Sequence, residues 1–444
     1  METVALKENI KNYPLVAQTP MIHFQPDQTG ATLRPSEVKP KLDRFLRKIK
    51  GDIPKSWLVS DQHDALNYKM RITRTEERER LNIKDFKLYF ANMGDGAMKD
   101  LVFADCNLQI ICFIPELMKL IDENIGAFFV LHNFGTRQSK GFGGFLVKGF
   151  EQPLFVRSTI EQHYPHFFYA TVPGKPNAQT RMNHAYAIYT FLKNGINLTR
   201  PRFPDRYIKG YAVRAFLPKG VGSDKALMKA KVLPHPVLRP RESNPNYSGY
   251  VFIRAMLGLA ENYEFRDNLR NDGFKTVINK KTGQPEEKPI GLKVKVTHFA
   301  GTEIRDGKLW IPPESIKESK GIQRFRSPVT IKIFQNRIFF ILDNSWQNML
   351  GQIFLLSTKK EYDMAANLIK TNPSKAKQDF ESFQHIQTPD SFDPDAFISG
   401  FVAYFMCEKT KLLEFPERGT GPKPPAGYEL REAYGLTLEK GGQN

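Results

Sequence analysis

Residues Gly135 to Phe145 read Gly-Thr-Arg-Gln-Ser-Lys-Gly-Phe-Gly-Gly-Phe. Glycines at 135, 141, 143 and 144 let the main chain approach a ligand closely and adopt positive φ angles. Arg137 and Lys140 bring positive charge, and Gln138 and Ser139 bring neutral hydrogen-bonding groups. That combination suits a phosphate-rich partner. Glycine-rich turns of this length also serve as plain connectors from helix to strand, but cations and amides packed between glycines favour phosphate contact. The loop is not a P-loop, because Gly141 follows Lys140 where Ser or Thr is needed, and the preceding element is a helix. No G-x-G-x-x-G follows a strand and opens a helix either.

A second cationic set is Arg34, Lys39, Lys41 and Arg44, with Arg47 beyond it. Charged helix faces are often no more than solvated surfaces. Here the set falls at the end of the first predicted strand and the start of the first helix, a position that can border the same groove as the glycine loop. Arg324 and Arg326 flank a later strand entry and form a third, smaller set.

Acid–base chemistry has less to work with. Metal-independent RNA cleavage needs a base for the 2′-hydroxyl and an acid for the leaving oxygen. His23, at the end of the first predicted strand, is the one histidine placed for such a role. His163 and His166 fall in an aromatic stretch with no third ligand in view. H-E-x-x-H and zinc-ribbon spacings are absent, as is G-x-S-x-G. No catalytic residue, metal or cofactor is expected.

These residues need elements to hold them. Tyr13 to Phe24 reads as a strand, and Leu42, Phe45, Leu46 and Ile49 recur at helical spacing. Leu66 to Thr73 alternates as a strand with Lys69 and Arg71 on one side. Asp105 to Phe113 is a further strand. Pro115 opens a helix whose stripe is Leu117, Leu120, Ile121, Ile125 and Phe128; its stop signal lies near Asn133 to Gly135. The glycine loop follows, then a last strand from Gly144 to Phe150. Strand, helix, strand, strand, helix, loop, strand is the split βαβ or ferredoxin-like order, in which one sheet face stays open for ligands.

Beyond Phe150 the expected elements are a helix from Met182 to Leu192, a strand from Tyr207 to Leu217 and a helix from Tyr250 to Leu259. A polar loop is expected at Lys280 to Lys288. Val329–Phe334 and Arg337–Leu342 flank Gln335-Asn336 as a hairpin. Asp395 to Phe405 is helical with Asp393 as its cap, and a Pro- and Gly-rich tail begins at Gly419. The fold class expected is α+β, two ferredoxin-like (βαββαβ) domains with insertions, the second elaborated. The division falls at 1–200 and 201–444.

The glycine loop, in its place between second helix and last strand, resembles the signature loop of the RAMP superfamily, the repeat-associated mysterious proteins of CRISPR systems. Thr19 to Phe24 and Leu33 to Lys39 resemble the family's opening strand, loop and basic helix start. Met256-Leu257-Gly258-Leu259 and Gln323 to Val329 resemble a pair in the second half of one subfamily, the guide-RNA 3′-end subunit of the type III-B (Cmr) effector complex. The chain departs from the family at Pro40, where glycine is common; proline cannot donate a backbone N–H.

The resemblance implies a noncatalytic RNA-binding subunit of an antiviral ribonucleoprotein. Its partners would be guide RNA (crRNA), target RNA and other effector subunits, with no membrane. The RNA-binding residues expected are Arg34, Lys39, Lys41, Arg44, Gly135, Thr136, Arg137, Gln138, Ser139, Lys140, Gly141, Phe142, Gly143, Arg324 and Arg326. Phe142 and Phe145 both offer rings, with Phe145 assigned to the core. The alternative is a metal-independent guide-processing endoribonuclease using His23.

Bulk properties agree with a nucleic-acid partner. The chain of 444 residues carries 65 Lys and Arg against 47 Asp and Glu, a net charge of +18, and such an excess is commonest in proteins that meet polyanions. No apolar run approaches the ~18 residues of a membrane span, and the N-terminus lacks a signal-peptide pattern. Cys106, Cys112 and Cys407 are too scattered for a disulfide framework and are expected as buried thiols in a reducing cytoplasm.

Overall fold

The computed structural model describes residues 9–22, 33–60, 62–78, 101–197, 207–208, 210–216, 232, 251–258, 262–265, 271–278, 284–317, 327–411 and 436–441. Its first part follows the expected order: β1 (Ile10–Ala17), α1 (Pro35–Lys50), β2 (Lys69–Glu77), β3 (Ala104–Ile111), α2 (Pro115–Leu131) and β4 (Phe145–Val147). The strands lie side by side as β2-β3-β1-β4, every neighbour antiparallel.

Side-chain alternation decides which face the helices cover. Tyr13, Leu15 and Ala17 on β1 and Cys106, Leu108 and Ile110 on β3 are buried. They share one core with Val38, Leu42 and Leu46 of α1 and Ile121, Ile125 and Phe128 of α2. The opposite face carries Asn12, Lys69, Arg71 and Thr73, all exposed, beside half-buried Asn107 and Gln109. Among the described residues this face is therefore exposed.

Local chemistry sets the ends. Pro35 and Pro115 each begin a helix, where a missing N–H costs nothing. β1 stops at Ala17 rather than running on toward Phe24: Pro20 cannot donate to a ladder, and Met21–Ile22 instead pairs with Leu101–Val102. Pro40 sits inside α1, where it leaves the carbonyl four residues earlier without its helical partner.

After α3 (Pro153–His163), the same order begins again with β5 (Phe167–Thr171) and α4 (Ala178–Tyr189). An excursion adds β6 (Asn262–Phe265), β7 (Asn271–Ile278) and β8 (Pro285–Thr297). The hairpin β9 (Val329–Phe334) and β10 (Arg337–Leu342) has the expected bounds and turns at Gln335, φ 50°. β11 (Ile353–Thr358) and β12 (Gln384–Gln387) join the excursion in a separate sheet, ordered β6-β8-β11-β12 with β7 also on β8. α5 (Pro394–Lys411) and β13 (Thr437–Gly441) close the repeat. The second sheet is ordered β9-β10-β5-β13, again antiparallel throughout, which reproduces the strand order of the first.

Several expectations change here. β5 pairs with β10 and β13, so by hydrogen bonding the second sheet begins at Phe167. Tyr207 to Leu217 is not one strand: Tyr207–Ile208 is followed by a helix, Tyr211–Phe216. The loop expected up to Lys288 is strand from Pro285 onward. The Pro- and Gly-rich tail leads back into β13, an edge strand of the second sheet. Cys106 and Cys112 are buried, but Cys407 is exposed. The cap on α5 stands as expected, with Asp393 Oδ1 accepting from the N–H groups of Asp395 (2.9 Å) and Ala396 (3.0 Å).

Unlike the first sheet, the second is covered on both faces. Phe168, Ala170, Ile338 and Phe340 pack with Ile188 of α4 and Phe401 of α5. Phe167, Tyr169, Phe339 and Ile341 pack with Val156 and Ile160 of α3 and with Val130 and Leu146 of the first repeat. Arg181 of α4 pins the seam, donating to Gln18 O (2.8 Å) and Gln335 O (2.7 Å).

Candidate nucleic-acid interface

Between α1, the end of α2 and β9 lies a cleft of about 950 Å³. Its walls include Lys41, Arg44 and Lys48 of α1, Gly135 to Ser139 of the glycine loop, and Thr330 and Lys332 of β9. Lys41, Arg44 and Lys48 recur at the three- and four-residue spacing that aligns side chains on one helix face. Parts of two cationic sets read from the sequence, Lys41 and Arg44 of one and Arg137 of the other, therefore meet in one place.

The loop has two faces. Its first half, Gly135 to Ser139, lines the cleft and is tied to α1. Lys41 Nζ donates to Gln138 Oε1 (2.7 Å) and Asn133 O (2.9 Å), and Glu37 accepts from Gly135 N. Gln138 also donates to Gly135 O (2.8 Å). Arg137 sits at φ 57°, a left-handed conformation that L side chains rarely adopt, and it lines the cleft.

The second half turns away from the cleft and packs against the second repeat. Ser139 O accepts from Ile331 N (3.0 Å), and Lys140 bridges to Ile331. The Lys140 ammonium lies 3.5 Å from the centre of the Tyr189 ring. Burial, then Lys193 and Arg137, push its pKa well below the ordinary lysine value. Phe142 is fully buried in the second repeat's core and Phe145 in the first. Phe142 thus offers no face to a base, and Lys140 no ammonium to the cleft.

The glycines are explained the same way. A Cβ on Gly143 (φ 72°) would stand 1.9 Å from Phe134 O, and one on Gly135 (φ 80°) would stand 2.4 Å from Ile22 O. Both positions need glycine for protein–protein contact within the chain. Gly141 packs on Ile331 and Ile333.

Asn133 joins the two halves. Its Nδ2 donates to Gln138 O (2.7 Å) and Ile331 O (3.1 Å), and its Oδ1 accepts from Lys332 Nζ (2.9 Å). Lys332 is fully buried, and burial, with Lys41 second, drives its pKa well below the lysine range. His132 beside it is held down to about 3 by burial, then by Lys332, with Lys41 and Arg44 adding to the same effect. Burial thus leads in keeping this ring neutral, and the neighbouring cations act in the same direction.

Other expected site residues fall elsewhere. Lys39 faces away from the cleft, bonded to Asp43 (2.9 Å) and Leu66 O (2.8 Å) with its ammonium over Tyr68. Arg34 occupies the N-cap position of α1 without a side-chain cap hydrogen bond, outside the cleft wall. Arg47 pairs with Asp64 (2.8 Å). Arg324, Arg326 and His23 lie outside the described residues. The Met256 to Gly258 segment does meet the Ser327 strand entry: a Cβ on Gly258 would stand 3.0 Å from Ser327 Cβ. Lys48, Lys332, His132 and His163 were not singled out for the cleft from sequence; Lys48 alone carried a signal, its spacing from Arg44.

His163 and His166 do not act together, since His163 lines the cleft while His166 stands against Asp395 (3.3 Å). Among the described residues no group of three or more His, Cys, Asp or Glu is placed to hold a metal ion. No helix among them is long and apolar enough to cross a membrane.

Comparison with known proteins gives the family. Residues 8–196 match the model of the Cmr1 N-terminal domain and residues 309–417 that of the Cmr1 C-terminal domain, together well over half of the chain. The chain belongs to the Cmr1 family. It is thus a CRISPR RAMP protein and a subunit of the type III-B Cmr complex kind. Among solved structures, the Cmr1 crystal structure from Pyrococcus furiosus in its apo form is similar at 14% identity and a TM-score of 0.30. That match covers 41% of this chain and 72% of the other. Comparison with curated proteins finds no match.

Proposed function

We propose that this Cmr1-family chain binds the guide RNA of its effector complex toward the 3′ end, together with the target RNA, and does so without cutting either. The observation that carries this is the meeting of Lys41, Arg44 and Lys48 with Arg137 and the outward half of the glycine loop around one cleft. Among the described residues that line it, Asp343 is the one acidic side chain, and Glu37 pairs with Lys41 at 3.6 Å. Arg44 and Lys48 are exposed and have no acidic partner among the described residues. Cations in such a cleft neutralise RNA phosphates and release the counterions condensed on them, so affinity falls steeply with salt.

Arg137 supports the same reading. A strained backbone at a cleft is tolerated where the side chain has work there. Recognition is read from charge and backbone geometry, so it grips ribose-phosphate with little sequence selectivity. Selection of the guide then comes mainly from assembly with neighbouring subunits.

The test is binding of a single-stranded RNA to the full chain over a salt series. Arg44→Ala with Arg137→Ala should weaken binding and lower the slope of log affinity against log salt by about 1 for each lost phosphate contact. An unchanged affinity and slope would put the RNA elsewhere.

A further inference from the structure

One wall of the cleft is aromatic rather than cationic. Phe45 of α1 stands between two imidazoles, His132 after α2 at 5.6 Å and His163 at the end of α3 at 6.1 Å between ring centres. His132 also lies 4.6 Å from Phe128 at a tilt of 31°. All three of Phe45, His132 and His163 line the cleft, and both histidines are half-buried.

The two histidines share one hydrogen-bond state. His132 Nδ1 lies 2.9 Å from Phe128 O, and His163 Nδ1 lies 2.9 Å from Thr159 O. A carbonyl oxygen only accepts, so each Nδ1 carries the proton. In the neutral ring the remaining nitrogen, Nε2, is then a bare acceptor. Burial and the surrounding cations hold His132 in that neutral form.

We propose that this wall is a nucleobase pocket, built to take a base whose amino group stands at purine C6 or pyrimidine C4, adenine or cytosine. The proposal rests on the phosphate-binding reading of the cleft. Arg44 and Lys48 lie one residue before and three after Phe45 on α1, so a phosphate held by them brings its base to the aromatic wall. Phe45 is buried behind the two imidazoles, so the half-buried His132 and His163 rings supply the flat surface for stacking. Two acceptors, rather than a donor and an acceptor, favour an amino group and oppose a carbonyl in its place. Uracil and guanine present carbonyls where cytosine and adenine present amines.

The experiment changes the ligand first, so that no folding defect can intrude. The full chain is titrated at pH 8 with oligoadenylate and with the same length of oligo(purine riboside), which lacks only the amino group, and with oligocytidylate against oligouridylate. Roughly fivefold weaker binding, or more, is expected for each partner without the amine, from one or two lost hydrogen bonds, with the salt slope unchanged. His132→Phe with His163→Phe keeps rings in place and should erase the ratio between the paired oligomers. Equal, salt-dependent binding of all four oligomers would overturn the pocket and leave the phosphate reading standing. A ratio that persists in the double variant would overturn the assignment to these histidines. Failure of every oligomer to bind would bring down the phosphate reading and the pocket with it.

Discussion

The two halves of the glycine loop are adjacent in sequence and opposite in role. Gly135 to Ser139 faces the cleft, while Lys140 to Gly144 is packed against the second repeat. Both contain glycine and a cation, so composition alone does not separate them. The difference lies in what a side chain would meet. In the inward half an added Cβ strikes backbone or core side chains at Gly141 and Gly143, and the outward half is just as tight at Gly135, against Ile22 O, but from Thr136 to Ser139 its side chains line the cleft. Glycine content here reports the tightness of the seam, and exposed charge reports the ligand face.

The contrast can be tested from its strongest term downward. Gly143→Ala combines a left-handed φ with a clash against Phe134 O and should cost more than about 3 kcal/mol. A melting temperature unmoved by that change would contradict the packed inward half. Asn133→Leu strips both halves of their shared amide, and thermal or urea unfolding should show a loss of about 2–4 kcal/mol. A loss below that of one hydrogen bond would mean the halves are held by something else.

His132 supplies a pH signature of the cleft. Its folded value, about 3, is below its ordinary 6.5, so the unfolded chain takes a proton that the folded one refuses. Stability from this group is complete above pH 6.5 and is lost as pH falls through the window toward 3. In His132→Phe the decline over that window should be shallower, as measured by urea unfolding at stepped pH. A parallel decline in both proteins would mean that the ring is solvated.

The outward half should respond in binding and hardly at all in stability. Arg44→Ala and Arg137→Ala are expected to leave unfolding within about 0.5 kcal/mol while each lowers the RNA salt slope. Lys140→Met should do least. Its ammonium has already turned from the cleft onto Tyr189, so RNA affinity should stay within about twofold, in line with a residue that contacts no phosphate. A large loss of RNA affinity there would erase the distinction between halves.

Much of the first repeat was legible because its signals are local: Pro35 and Pro115 open their helices, and the period-two pattern of β3 lies where spacing put it. In the second repeat the Gln335-Asn336 hairpin was legible for the same reason. The rest of that repeat was harder to read. Its β5 and β13 pair across more than 260 residues of chain, and the excursion strands interrupt the order. The last strand hid behind a Pro- and Gly-rich stretch that looked like a tail. That stretch lies between α5 and β13, the chain position that the glycine loop holds between α2 and β4.

The sequence by itself determined the element order of the first repeat, the excess of positive charge and the place of the glycine loop, because hydrophobic period, proline and glycine act over a few residues. Tertiary structure decided which cations face the cleft. Lys39 and Lys41 are two residues apart on one helix, yet Lys39 is engaged by Asp43 and Tyr68 while Lys41 reaches the loop. It also decided that Phe142 and Lys140 belong to the seam and that His132 and His163 share a wall. Those outcomes depend on which surface another repeat covers, and no short-range rule encodes that.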